Sequence, residues 1–163
     1  MEIFQTIWTS LTTENEVITN IIGIPTVFIE AYVSMLLFTL ILNISTTKKQ
    51  RIIYVCTISL FSIFSRFVIP TPYGSYVNAI AMVLSIMFIL KVKFFKAIFA
   101  LFIPLFLTAV VESIIAKLYS SIFGFDYIVG MNIPLHRFIG TLIMYFILYC
   151  LYLLLKYFKL NIT

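Results

Sequence analysis

Several apolar stretches in this chain are long enough to approach the thickness of a lipid bilayer. They cover residues 17–44, 52–69, 76–90, 94–118 and 135–157. Crossing about 30 Å of hydrocarbon takes about 20 residues of helix. Soluble domains are about half apolar and about a quarter charged, whereas this chain is 63% hydrophobic and 10% charged. The sequence therefore predicts an all-α fold, a polytopic membrane helix bundle with about five transmembrane helices.

The N-terminal segment, residues 1–16, is too short to cross a membrane. Its apolar side chains Ile3, Ile7 and Leu11 recur at helical spacing, and Trp8 is of the type that anchors at a membrane interface. We therefore expect a short interfacial helix over 1–16. A single transmembrane domain over 17–163 should follow it.

Basic residues interrupt the apolar runs at positions that agree on one orientation. They are Lys48, Lys49, Arg51, Lys91, Lys93, Lys96, Lys156 and Lys159. With five crossings, all of them fall on one side of the membrane, and loops on the cytoplasmic side carry an excess of Lys and Arg. The predicted location is the plasma membrane, with the N-terminus outside and the C-terminus in the cytoplasm. We attribute the net charge of +5 to these bases on the cytoplasmic side of the membrane. We therefore expect no nucleic-acid partner.

Polar side chains recur at steps of three or four residues within each predicted span. Because lipid cannot satisfy their hydrogen bonds, these stripes should turn inward and meet. The topology places one group of charged or ionisable residues in the outer half of the bundle, namely Arg66, Glu112, Lys117, His136 and Arg137. Glu30 is predicted near the midplane. Charges within a membrane segment are costly and mark functional or structurally paired positions.

Three interpretations of this group stay open. One is an ion-pair network that fixes helix packing, with Glu112 paired to Arg66 or Lys117. Another is an outward-facing pocket for a peptide or small molecule, in which the charges hold a terminus or carboxylate. Its predicted apolar walls are Phe61, Phe64, Phe67, Phe106 and Phe123. The third is a proton or ion path through Glu30 and Glu112.

No catalytic or cofactor motif occurs in the sequence. Nucleotide-binding loops, hydrolase elbows and zinc-protease signatures are all missing. His136 has no His, Cys or carboxylate at metal-ligand spacing, and Cys56 and Cys150 both lie in apolar runs as packing residues. We therefore predict no metal site, no cofactor and no catalytic residue, and leave open whether a longer parent protein is an enzyme.

Several stretches resemble the membrane sensor region of one class of bacterial signalling protein. They are PTVFIEAYVSMLLFTLILNISTTKKQRIIYV (25–55), SRFVIPTPYGSYVNAI (65–80), VESIIAKLY (111–119), NIPLHRFIG (132–140) and LYLLLKYFKLNI (151–162). Together they resemble the N-terminal multi-span region of quorum-sensing-type histidine kinases of Gram-positive bacteria. These kinases belong to the class with a GHKL-type ATP-binding module. The chain departs from them because it ends where the phosphoacceptor histidine and the ATP site would follow.

The resemblance implies a sensor in a two-component system. Such a domain perceives an extracellular peptide or small molecule and relays the signal to a cytoplasmic kinase module or partner, as a homodimer. We expect either a sensor fragment of such a kinase or a stand-alone relative without it. Two alternatives are a substrate-binding membrane subunit of a transporter and an accessory membrane protein without a ligand.

Overall fold

The computed structural model describes residues 2–13, 16–69, 73–124 and 127–158. Within these ranges the chain is helical and contains no β-strand. The helices are α1 (Glu2–Thr12), α2 (Glu16–Ile22), α3 (Ile24–Ile41), α4 (Lys48–Val68), α5 (Tyr73–Ile89), α6 (Phe94–Phe123), α7 (Tyr127–Met131) and α8 (Pro134–Tyr157). The predicted all-α helix bundle is confirmed.

In the described part of the chain, 4 helices are long and apolar enough to cross a membrane: α3, α4, α6 and α8. Helix α5 has 17 residues and is also apolar, which corresponds to about 26 Å of helix against about 30 Å of hydrocarbon. It packs between α4 and α6. Its length matches the short third span that the sequence predicts.

Helix α3 lies at the centre of the bundle. It packs against α4, α6 and α8, with α2 joined to its start. Met35, Leu37 and Phe38 are fully buried, as expected for a helix that is apolar on every side. The Tyr54 ring of α4 meets Phe38 edge-on at 5.8 Å between centroids. Two small residues of α6, Ala97 and Ala100, are fully buried in the same cluster, and such residues let helices approach closely.

The first apolar run is broken at Gly23 rather than continuous over 17–44. Helix α2 ends at Ile22 and packs on α8, whereas α3 begins at Ile24 with Pro25 in its first turn. Proline is tolerated there because the first amides of a helix need no intrahelical acceptor. Glu30 therefore lies less than two turns from the start of α3, and its predicted depth near the midplane stays a prediction.

Helix α1 is the predicted short N-terminal helix. Phe4, Ile7 and Trp8 are exposed along it, and the helix touches α8. Exposed aromatic and aliphatic side chains on a short helix beside a bundle suit the predicted interfacial position. The division into 1–16 and 17–163 stays a prediction.

The segment after the fourth predicted span (94–118) begins as a continuation of the same helix. Helix α6 continues for 30 residues to Phe123 and ends at Gly124, whose φ of 71° lies in the left-handed region that glycine adopts without strain. Helix α7 then packs against both α6 and α8. The chain therefore folds back over one end of the bundle before α8 begins.

Candidate functional site

A cavity of about 280 Å³ lies beneath α7, at the end of the bundle where α3 begins and α4 ends. Residues from α2, α3, α4, α6, α7 and α8 contribute to its wall. They include Thr19, Gly23, Thr26, Glu30, Arg66, Glu112, Tyr127, Met131, Pro134, Arg137, Phe138, Thr141, Met144 and Tyr145. Charged and hydroxyl groups thus converge from nearly every helix of the bundle on one space.

The cavity gathers most of the charged residues singled out in the sequence. Glu30, Arg66, Glu112 and Arg137 all line it. Arg66 lies near the end of α4 and Arg137 in the first turn of α8. Because α3 and α8 run away from the cavity while α4 and α6 run toward it, residues distant in sequence meet at one depth. Two acidic and two basic side chains therefore share one wall.

The pair formed by Glu30 and Arg66 is loose. Arg66 Nη2 lies 3.9 Å from Glu30 Oε2, and the two side chains are 35% and 46% exposed, respectively. Charge-assisted hydrogen bonds between such groups are usually about 2.7–2.9 Å long. The Glu30 carboxylate also faces the Tyr145 hydroxyl. Both charged groups therefore keep hydrogen-bonding capacity directed at the cavity.

Glu112 is held by a tyrosine rather than by a base. The Tyr127 hydroxyl donates to Glu112 Oε1 at 3.4 Å, and Glu112 itself is exposed. Burial, followed by the neighbouring Glu112 carboxylate, raises the pKa of Tyr127, so this phenol remains a donor at physiological pH. Among the described residues, Glu112 forms neither of the predicted ion pairs, with Arg66 or with Lys117. Arg66 is paired with Glu30 instead.

Gly23 lies where α2 meets α3, beside the Arg66 guanidinium. A Cβ at this position would sit 3.5 Å from Arg66 Nη1 and 3.2 Å from the Thr19 carbonyl oxygen. The second distance is tighter than ordinary van der Waals contact. An added Cβ would therefore press on the backbone of α2 at Thr19, whereas Arg66 could stay in place.

A second cavity, of about 360 Å³, adjoins the first. Arg66 and Arg137 line both cavities, and no acidic residue is found among the described residues lining the second. Its other walls are mostly amides and hydroxyls, from Asn20, Ser62, Ser65, Ser75 and Asn78. The Ser62 hydroxyl donates to Asn78 Oδ1 at 2.8 Å, which links α4 to α5. Arg66 and Arg137 thus lie between two cavities. The first also contains Glu30 and Glu112, whereas the other described residues that line the second are uncharged.

Two of the predicted site residues lie outside this wall. Lys117 lines a separate groove along α6, which it shares with Glu112 and Tyr127. His136 Nδ1 is hydrogen-bonded to the Tyr119 hydroxyl, and its ring packs 5.5 Å from that of Phe123. The structure therefore gives His136 a packing position at the junction of α6 and α8.

The predicted aromatic walls are wrong. Phe64, Phe67, Phe106 and Phe123 are exposed on the outside of the bundle, and Phe61 is outside the cavity lining as well. The apolar part of the wall comes instead from Met131, Pro134, Phe138 and Met144. Tyr127 and Met131 also line the cavity and were not among the residues predicted from the sequence.

Within the described part of the chain, no three His, Cys, Asp or Glu side chains come close enough to hold a metal ion. Cys56 is exposed and Cys150 partly exposed, both as free thiols. The cavity offers carboxylates, guanidinium groups, hydroxyls and apolar side chains.

Comparison of the chain with protein-family models, with curated proteins and with solved structures finds no match.

Proposed function

We propose that this chain is a membrane sensor domain that binds an extracellular peptide or small molecule in the cavity beneath α7. The observation that carries the proposal is the convergence of Glu30, Arg66, Glu112 and Arg137 on one cavity. Charged groups inside a membrane bundle are costly and mark functional positions. A site with both signs of charge suits a ligand that carries a carboxylate, an amine or both.

The dimensions of the site support a ligand. Pockets for small molecules usually measure about 300–1,000 Å³ and combine apolar walls with a few polar groups. The first cavity alone measures about 280 Å³, and the second adds about 360 Å³ on the far side of Arg66 and Arg137. A short peptide or an amino-acid-sized molecule could occupy the pair, with Met131 and Phe138 as apolar contacts.

The loose ion pair favours binding over a purely structural role. A pair that fixes helix packing should be short and shielded, whereas Glu30 and Arg66 are 3.9 Å apart and partly exposed. Partly exposed pairs typically contribute less than about 1 kcal/mol to stability. A ligand carboxylate could replace the Glu30 carboxylate on Arg66 at small energetic cost.

The proposed orientation places the cavity outside the cell. The basic residues flanking α3, α4, α5, α6 and α8 lie at the opposite end of the bundle, which the positive-inside rule assigns to the cytoplasm. Helix α8 begins at the cavity with Arg137 and ends at the basic end with Lys156. A shift of α8 on ligand binding would therefore reach the cytoplasmic end, where a kinase module or another signalling partner would receive it.

The proposal is tested by ligand-dependent thermal stabilisation of the purified protein in detergent, with pools of short peptides and polar metabolites as probes. The variant Glu112→Gln should lose the stabilisation that an active pool gives to the wild type. Lys117→Gln is the matched control, because it removes a charge from the same helix outside the cavity. Absence of stabilisation of the wild type by every pool, or equal losses in both variants, would contradict a ligand site here.

A further inference from the structure

Seven of the described basic residues gather at one end of the bundle. At the end opposite the cavity beneath α7, the described bases are Lys48, Lys49, Arg51, Lys91, Lys93, Lys96 and Lys156. The acidic residues of the sequence are Glu2, Glu14, Glu16, Glu30, Glu112 and Asp126. Of these, Glu30 and Glu112 line the cavity beneath α7. We call the first group of residues the basic end.

A small cavity of about 190 Å³ opens within the basic end. It lies between the end of α3, the start of α4 and the end of α8. Its polar groups come from Thr39, Asn43, Arg51 and Lys156, and its apolar groups from Leu36, Leu40, Ile44 and Tyr152. No acidic residue is among the described residues that line it. An anion is therefore the ligand that its charge favours.

Arg51 is positioned before any ligand arrives. Its Nε donates to Thr46 Oγ1 at 2.8 Å, which fixes the guanidinium plane and leaves the two terminal nitrogens for an anion. The Arg51 side chain emerges from the first turn of α4, whose Thr47–Gln50 capping box fixes the backbone. Guanidinium groups with a fixed plane favour phosphate, because two parallel N–H groups match two oxygens.

Lys156 supplies the second charge. Its ammonium lies 6.0 Å from the centroid of the Tyr152 ring, within the range of a weak cation–π contact. Lys156 belongs to the last turn of α8, whereas Arg51 belongs to α4. An anion bound between Arg51 and Lys156 would therefore contact both α4 and α8.

The apolar part of the cavity lining favours a lipid over a soluble phosphate as the ligand. Leu40 and Leu36 lie further into the bundle along α3 than Asn43, so the cavity changes from polar to apolar with depth. A phospholipid presents the same sequence of groups, with phosphate at the surface and hydrocarbon beneath it. Basic pockets between the ends of membrane helices are typical sites for anionic head groups.

We propose that the cavity formed by Asn43, Arg51, Tyr152 and Lys156 binds the phosphate group of an anionic phospholipid. The guanidinium of Arg51 and the ammonium of Lys156 bind the phosphate oxygens. Leu36 and Leu40 contact the first carbons below the head group. This inference is independent of the proposed ligand in the cavity beneath α7, because the two sites lie at opposite ends of the bundle.

The experiment measures retention of lipid by native mass spectrometry and thermal stabilisation in detergent. The probes are short-chain phosphatidylglycerol, the zwitterionic phosphatidylcholine of equal chain length and inorganic phosphate. Wild-type protein should be stabilised by phosphatidylglycerol and not by the other two. The variant R51Q/K156Q should bind phosphatidylglycerol about thirtyfold more weakly, given about 1 kcal/mol for each base near a membrane surface.

The control is K93Q/K96Q, which removes two exposed bases from the same end of the bundle outside the cavity. It should retain wild-type affinity for phosphatidylglycerol. Equal weakening in both double variants would overturn the site in favour of a general charge effect. Equal stabilisation by inorganic phosphate or by phosphatidylcholine would overturn an anionic lipid as the ligand. If R51Q/K156Q fails to fold, Lys156→Gln alone replaces it and should weaken binding about fivefold.

Discussion

The Ser62 hydroxyl donates a hydrogen bond of 2.8 Å to Asn78 Oδ1, and this contact joins α4 to α5 across the wall of the second cavity. A second serine on α4 provides a direct comparison. Ser59 is fully buried, and its hydroxyl has no hydrogen-bond partner within the described chain. The two serines lie one turn apart on α4, and of the two only the hydroxyl of Ser62 has a hydrogen-bond partner among the described residues.

Replacement of Ser62 by alanine should lower the free energy of unfolding by about 0.6–1 kcal/mol, the usual contribution of a hydrogen bond between membrane helices. Ser59→Ala should be neutral or slightly stabilising, because it removes an unsatisfied buried hydroxyl. Unfolding in mixed micelles with increasing denaturing detergent would measure both. Equal effects of the two substitutions would show that the Ser62–Asn78 contact contributes nothing.

The Glu30–Arg66 pair should contribute little to folding. A double-mutant cycle with Glu30→Gln and Arg66→Gln should give a coupling free energy below about 1 kcal/mol, because both side chains are partly exposed. The same substitutions should abolish ligand-dependent stabilisation. A coupling above about 2 kcal/mol without any effect on ligands would favour an ion-pair network that only holds the helices together.

Alanine at position 130 should be poorly tolerated. A Cβ there would collide with the Tyr119 ring, coming within 2.6 Å of Cε1, and the collision would displace α7 or the ring. We expect a loss of about 1–3 kcal/mol, as for overpacking elsewhere. Gly140→Ala is the control, because the nearest atom is the terminal methyl of Met131 at 2.9 Å, which can move aside. A Tm shift for Gly130→Ala no larger than that of the control would contradict this account.

The orientation can be tested by labelling with a membrane-impermeant maleimide. In a background without Cys56 and Cys150, we introduce one cysteine at Tyr73, which is exposed at the start of α5, and one at the exposed Lys93. The first should react in intact cells and the second only after permeabilisation. The reverse pattern would place the basic end outside, contrary to the positive-inside rule.

Much of the fold and part of the candidate site were predictable from the sequence. The apolar runs predicted the helix bundle, because each is long enough to bury its backbone polar groups in helical hydrogen bonds. Helical spacing and span direction predicted that Arg66, Glu112 and Arg137 lie at one end. These predictions depend on periodicity and topology, which the order of residues fixes directly.

Other features depend on contacts that the sequence pattern does not contain. The break at Gly23 stands two residues before Pro25, and proline suits either a kink within one helix or the first turn of a new one, so the sequence leaves the break open. The exposed Phe64 and Phe106 illustrate a second difficulty, since lipid is as apolar as the core and phenylalanine suits either side of a helix. The contribution of Tyr127 depended on the fold-back of α7 over the bundle.

Helix α6 is longer than the hydrocarbon is thick. Its 30 residues extend for about 45 Å, against about 30 Å of bilayer core. If its first turn lies at one membrane surface, its final turns stand in water on the other side, together with Gly124 and α7. The rim of the bundle at this end is then reachable by proteases and antibodies in the intact membrane. An epitope inserted after Gly124 would report on the protein from the aqueous phase without disturbing any lipid-facing surface.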